Sequence, residues 1–302
     1  MSTNYNKGLL SGLIAFILWG FLPLYWKLLQ SITPIQIFSH RILWSFVFLT
    51  AIMTIKGRMG ELIELTKDKK RFFYVILCSL TISLNWYLYI WAVNSGFVIE
   101  ASLGYYINPL AVVLLGTLVL KEELTKAQKI AFGFAFLGVL NLTVNYGKFP
   151  LVALALASTF ALYGLFKKLA ATEAFLGLTM ETLIITPFAM LYIGQNELQG
   201  IGVLGNIPPM TILLLTTAGI ATATPLIFYA KATNAIPLSV VGLLQYIAPT
   251  ISLFLGVFIF KETFTTTHFV SFALIWSGLA YYSLSQWKQR PIKPAELAKQ
   301  ES

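Results

Sequence analysis

The stretch YYINPLAVVLLGTLVLKEE, residues 105–123, is apolar enough for a membrane helix, yet it carries an Asn-Pro pair in its middle and a Lys-Glu pair where it stops. It recurs. Residues 245–263 are QYIAPTISLFLGVFIFKET, so Pro109, Gly116, Lys121 and Glu122 meet Pro249, Gly256, Lys261 and Glu262 at one constant offset. The same offset takes Tyr106 to Tyr246, Thr125 to Thr265 and Gly138 to Gly278. Upstream it takes Tyr89, Ala92 and Asn94 to Tyr229, Ala232 and Asn234, again without a gap. A register held over that length marks a duplicated unit.

Composition says where the units reside. The chain of 302 residues is 57% hydrophobic, 15% aromatic and 11% charged, with mean hydropathy +0.77; soluble domains run at about 45–50% apolar and 25% charged. The expected fold is an all-α membrane protein, because runs of about 20 apolar residues cross a bilayer as helices that satisfy their own backbone groups. Such runs lie near 8–28, 35–55, 72–94, 98–120, 130–145, 149–168, 175–194, 209–231, 236–260 and 268–287, giving ten expected transmembrane helices. The first run is too long for the apolar region of a signal peptide and no small-residue cleavage site follows it, so it is expected to remain a span. The domain expectation is a first five-helix repeat over 1–147, a second over 148–287 and a cytoplasmic tail over 288–302. An odd number of spans per unit makes the second copy enter from the opposite side, so the two five-helix repeats are inverted, as in many secondary transporters with a site near the midplane.

The formal net charge of +9 would suit nucleic acid, but the placement of the Lys and Arg residues argues against it. With a cytoplasmic N-terminus, Lys7, the basic residues of 56–71, Lys121, Lys126, Lys129, Lys167, Lys168, Lys231 and the basic tail all fall inside. Lys27, Lys148 and Lys261 fall outside. This is the positive-inside pattern, which places both termini in the cytoplasm and makes the bilayer, with its anionic lipid, the partner in place of nucleic acid. A homodimer is left open. Cys78, the single cysteine, excludes an internal disulfide and a multi-cysteine metal site and suits apolar packing. No Walker-type loop, HExxH or GxSxG occurs, and Asp68 is the sole aspartate, so no cofactor, metal or catalytic residues are expected.

Polar groups inside spans carry the functional expectations. Pro109 and Pro249 each remove a backbone donor in mid-helix; each is either a packing kink or a bend opening a central cavity lined by Tyr105, Tyr106 and Asn108 on one side and Gln245 and Tyr246 on the other. Arg41 must lie within the second span, since Ile42 to Ile55 is too short for a hydrocarbon core of about 30 Å at 1.5 Å per residue. An isolated charge there costs on the order of 2–3 kcal/mol and so faces a cavity or a partner. The offset carries Arg41 onto Glu181. Either the two pair, directly or through water, or Arg41 grips a substrate carboxylate or phosphate while Glu181 exchanges a proton. Glu181 has a further choice in Lys167 or Lys168. Lys27 either snorkels to the interface or faces the cavity, and His40, beside Arg41, either packs or senses protons. Asn85, near mid-bilayer, hydrogen-bonds across helices or lines the pathway. Glu100 suits a solvated helix start. Thr125 and Gln128 form a capping box, with the Lys-Glu pairs as local stop and start signals. Gly8 and Gly12, and Ala153, Ala157 and Ala161, are small residues spaced for close helix contact, and Trp26, Trp91 and Trp287 suit an aromatic belt.

The paired five-helix halves, each with a Pro in its fourth helix, a following Gly and a Glu at the exit, resemble the drug/metabolite transporter superfamily in its EamA-type branch. Within it, LWGFLPLYWK (18–27) and SHRILWS (39–45) resemble the RarD group. The resemblance covers essentially the whole chain. It implies a ten-helix permease of a bacterial-type inner membrane that carries a small organic metabolite or drug-like solute by alternating access. Export, driven by protons or by exchange, is the expected mode; a passive channel is the alternative.

Overall fold

The computed structural model describes residues 3–95, 97–261 and 264–288. Glu262, the tail from 289 onward and the side chain of Trp287 lie outside the described residues. Within them every regular element is helical: α1 Thr3–Lys27, α2 Pro34–Ile55, α3 Gly60–Lys67, α4 Lys69–Asn94, α5 Val98–Leu118, α6 Lys126–Tyr146, α7 Leu151–Ala170, α8 Ala174–Leu198, α9 Pro209–Ala235, α10 Leu238–Leu244, α11 Ile247–Phe254 with a π-helical turn Leu255–Ile259, and α12 Thr266–Lys288. Among the described residues nine segments are long and apolar enough to cross a membrane, Leu238–Ile259 counting as one. The tenth expected span is α12, whose 23 residues reach across at about 1.5 Å each although they are more polar.

Two elements depart from the sequence expectation. Helix α3 was not anticipated, because a span search passes over a short amphipathic helix: Leu62 and Leu65 bury against Met53, Val75, Ala170 and Met180 while the charged residues stay outside. The ninth span is broken at Gln245–Tyr246, and Pro249 falls in the first turn of α11, where its missing N–H costs no helical bond. Its counterpart Pro109 lies within a continuous α5. The duplicated prolines therefore do different things to their helices.

The chain forms two compact units, one of residues 1–122 and 149–263, the other of 123–148 and 264–302. Each takes equivalent helices from both halves, so compactness crosses the repeat boundary. In the first unit α1 packs on α9 and α11, just as its counterpart α7 packs on α4 and α5. Likewise α2 meets α9 where α8 meets α4, and α2 and α8 meet each other. The second unit is α6 against α12. There the duplicated glycines mark both close approaches: a Cβ on Gly138 would lie 2.6 Å from the Ser271 carbonyl oxygen, and one on Gly278 would lie 2.9 Å from that of Ala131. On α1, Gly8 makes room for the side chains of Ala235 and Ile236 at the end of α9 and Gly12 for that of Leu244 on α10, and Ala153, Ala157 and Ala161 are all buried on α7.

The Thr125–Gln128 capping box is present, with Gln128 N–H donating to Thr125 Oγ1 at 3.2 Å and Thr125 N–H donating to Gln128 Oε1 at 2.8 Å. The helix stops before it are also duplicated, since Lys121 and Lys261 both take the left-handed conformation at φ 54° and 59°. Glu122, however, is not a local signal. Its carboxylate accepts from the backbone N–H groups of Leu238 (2.7 Å) and Ser239 (2.8 Å) at the start of α10, with Lys168 Nζ 3.5 Å away. Glu100 also departs from expectation: it is buried and accepts from Val152 N–H at the start of α7, 2.9 Å away. Both acids satisfy helix N-termini of the other half, where unpaired N–H groups in an apolar setting are costly.

Outside the spans, Arg58 forms a two-pronged pair with Glu61 (2.6 and 2.7 Å) and reaches Glu173, the N-cap residue of α8, at 3.5 Å. The Arg58 guanidinium holds the Glu61 carboxyl below its ordinary value and its own pKa is raised in turn.

Candidate functional site

Glu181 lies seven residues into α8 from the end of the molecule that carries the basic loops. Ser79 Oγ donates to its backbone carbonyl at 3.1 Å, tying α4 to α8. Its side chain pairs with Lys167 Nζ at 2.5 Å and accepts from Tyr163 O–H at 3.2 Å. Both charged side chains are 2% exposed. Tyr163 stacks on Tyr229 at 5.9 Å, and Tyr229, Gln245 and Tyr246 are buried beside them. A cavity of about 10 Å³, lined by Glu181, Trp86 and Thr222 among others, is large enough for about one water. This cluster is closed and internally neutral. Of the partners open to Glu181 in the sequence, Lys167 is the one it takes; Lys168 donates to the Ile236 carbonyl at 2.6 Å.

Arg41 lies at the corresponding depth from the opposite end, on α2, and its surroundings are of another kind. Its guanidinium carbon is 4.2 Å from the Trp86 ring and 5.3 Å from the Trp26 ring. The hydroxyl-bearing rings of Tyr89 and Tyr105, 5.9 Å apart, complete the group and lie close enough to interact electrostatically with the guanidinium. Arg41 Nε has no hydrogen-bond partner, and Arg41 has no ion-pair partner among the described residues. Tyr105 is 55% exposed and Tyr89 39% exposed at the surface of the helices, while Arg41 Nε itself is buried, so this cluster is less enclosed than the first. Trp26, named in the sequence for an aromatic belt, also belongs to this cluster. Trp91 is stacked on Phe97 and exposed.

The remaining candidates are distributed around these clusters. Lys27 is exposed, its Nζ 4.2 Å from the Phe260 ring. His40 is buried with Nδ1 unpartnered and shares no ligand geometry with Arg41. Asn85 donates to the Leu156 carbonyl (2.8 Å) and to Thr159 Oγ1 (2.9 Å), holding α4 to α7. Asn108 donates to Gln245 Oε1 at 2.9 Å, and Tyr246 O–H donates to the Tyr106 carbonyl at 3.3 Å. Those four residues join the two halves at mid-molecule, leaving Tyr105 as the exposed member of the anticipated lining. Trp86 was missed from the sequence; its signal was its place one residue from Asn85 and a turn before Tyr89 on a helix without charges nearby.

Independent sequence comparison finds the same duplication. The family model described as EamA-like transporter family matches residues 6–144 and again 148–284. The chain is 44% identical over 296 residues to an uncharacterized transporter, YojE, of Bacillus subtilis (strain 168), covering 94% of this chain and 96% of that protein. It is 37% identical over 277 residues to protein RarD of Escherichia coli (strain K12), covering 92% and 94% respectively. A crystal structure of a protein 20% identical superposes with a TM-score of 0.69 over 92% of this chain and 97% of the other, so the fold is shared.

Proposed function

Because the chain belongs to the EamA-like transporter family and is a multi-pass transporter of that type, we propose that it carries a small organic anion by alternating access, with Arg41 holding the anionic group. The observation that carries this proposal is the guanidinium itself: it sits against two tryptophans, with no carboxylate paired to it among the described residues, and with the exposed rings of Tyr89 and Tyr105 in the same group. Cation–π contacts offset part of the cost of placing a charge there, but they leave its N–H donors unused. A carboxylate or phosphate would take those donors in the forked geometry that arginine offers. The tyrosine hydroxyls of Tyr89 and Tyr105 would serve the same ligand, and the Trp faces would cover its apolar part.

In this proposal the basic loops face the cytoplasm, by the positive-inside pattern, as do both termini. The Arg41 cluster then opens outward while the Lys167–Glu181 pair seals the inner end. Rocking of the halves would open that end and hydrate the pair, and a proton taken by Glu181 would release Lys167. The expected direction is export, driven by proton or solute exchange. Supporting observations are the paired packing of equivalent helices and the two oppositely placed clusters.

The test is counterflow in proteoliposomes with a panel of small carboxylates and phosphate esters. Saturable exchange that falls on the order of tenfold or more in Arg41→Gln is expected, since one charge-assisted bond is worth about 1.5–3 kcal/mol. Undiminished transport by Arg41→Gln overturns the assignment. Conductance that never saturates makes the protein a channel.

A further inference from the structure

The structural equivalence of the two halves can be applied residue by residue to the clusters. The offset that relates Tyr246 to Tyr106 is 140. Applied to the closed cluster it takes Lys167 to Lys27, Glu181 to Arg41, Tyr229 to Tyr89, Gln245 to Tyr105, Leu226 to Trp86 and Phe166 to Trp26. Each residue of the open cluster, and Lys27 beyond it, is therefore the counterpart of a residue on the helices that build the closed one. The correspondence is one of position: the rings of Tyr89 and Tyr105 lie 5.9 Å apart, while Tyr229 Oη and Gln245 Nε2 have no hydrogen-bond partner. The helices obey it too, because α1 and α2 stand toward α9, α11 and α8 as α7 and α8 stand toward α4, α5 and α2.

What differs is charge. In the closed cluster the two helices contribute a lysine and a glutamate, which meet at 2.5 Å. In the open cluster the same two positions hold a lysine and an arginine. No acid compensates them among the described residues: Glu100 is engaged at the start of α7, and Glu197 accepts from Val203 N–H (2.7 Å) and Leu204 N–H (3.0 Å). Among the described residues, the contacts of Arg41 are with the rings of Trp86 and Trp26 and that of Lys27 is with the ring of Phe260.

Building on the anion-carrier function proposed above, we propose that Lys27 and Arg41 together form a site for a doubly charged anion, a dicarboxylate or a phosphate ester, whose negative groups take the place that Glu181 fills in the other half. Arg41 supplies the fixed fork, and Lys27 supplies a mobile point charge on a four-carbon stem that swings from Phe260 to the ligand. A monoanion engages Arg41 alone. A dianion engages both.

The experiment uses the full-length protein purified in detergent, with intrinsic tryptophan fluorescence as the readout because Trp26 and Trp86 line the site. Succinate and inorganic phosphate are the dianionic probes and acetate the monoanionic one. Wild type should bind the dianions on the order of tenfold more tightly than acetate, the value of about 1.4 kcal/mol for one added charge contact. Lys27→Gln should erase that preference and leave acetate binding unchanged, whereas Arg41→Gln should abolish binding of all three. A wild type without the preference, or Lys27→Gln that retains it, overturns the inference while leaving an anion site at Arg41 intact. Binding that survives Arg41→Gln overturns the anion-carrier function itself. Arg41→Glu adds a readout that needs no ligand, since it gives the open cluster the charges of the closed one. It should melt at or above the temperature of Arg41→Gln; melting below it shows that positions 27 and 41 cannot meet, and the two-cation site is refuted.

Discussion

At one end of the larger unit a lysine and a glutamate close a buried cluster, and at the other a lysine and an arginine stand in the equivalent positions near exposed tyrosines. The helices are duplicates and the positions correspond, so geometry alone does not make one end sealed and the other accessible. Charge does. A carboxylate supplied by the chain neutralises its lysine and lets the surrounding aromatics pack closely around the pair. Where the chain supplies a second cation instead, the proposal leaves the role of the carboxylate to a ligand.

The comparison can be broken most directly by testing access. Tyr105→Cys should react with a membrane-impermeant maleimide on the order of ten times or more faster than Tyr229→Cys, because thiol reactivity follows exposure. The background is low, since the single native Cys78 is fully buried. Equal labelling of the two would abolish the distinction between an open and a closed end.

Next in size is the buried pair. Glu181→Ala leaves the Lys167 ammonium without its counter-charge and should cost about 3–5 kcal/mol, seen as a large fall in the melting temperature in detergent. The double replacement Lys167→Met with Glu181→Leu should recover most of that loss, because both desolvation penalties disappear. If the single and double variants melt alike, the ion pair is not what seals that end.

A smaller effect is expected at Glu122, which caps the start of α10 from the other half. Glu122→Ala should cost about 1–2 kcal/mol, the range for loss of a helix N-cap, with Glu122→Gln between it and wild type in thermal melts. Smallest is the Arg58–Glu61 pair outside the membrane. Its carboxyl is held below the ordinary value of 4.5, so its contribution is present above that pH and lost as pH falls through the lowered value. Removing it by Glu61→Gln should flatten stability against pH only on the acid side of 4.5, and only slightly, since the pair is accessible to solvent and screened.

Much of the fold was legible because membrane burial imposes a coarse code. Apolar runs of sufficient length gave the spans, and the duplicated Pro, Gly and Lys-Glu positions gave the repeat. Arg41 could be placed inside a span by length alone. The short α3 was not legible, because Leu62 and Leu65 find their partners in four other helices. Nor was Glu122, which looks like a neighbour of the capping box but serves a helix more than a hundred residues away. Glu181 was open to several cations in the sequence, and only the packing of α7 and α8 on the same helix, α4, brings Lys167 to it.

The sequence by itself determined that this chain is an all-helical, internally duplicated membrane protein, since hydropathy and a constant offset are properties of residue order. Only the tertiary structure decided which of its charges are satisfied. Pairing depends on which helix faces meet across the two halves, and an ion pair gained or missed over a few ångströms turns equivalent positions into a seal at one end and a binding site, as proposed, at the other.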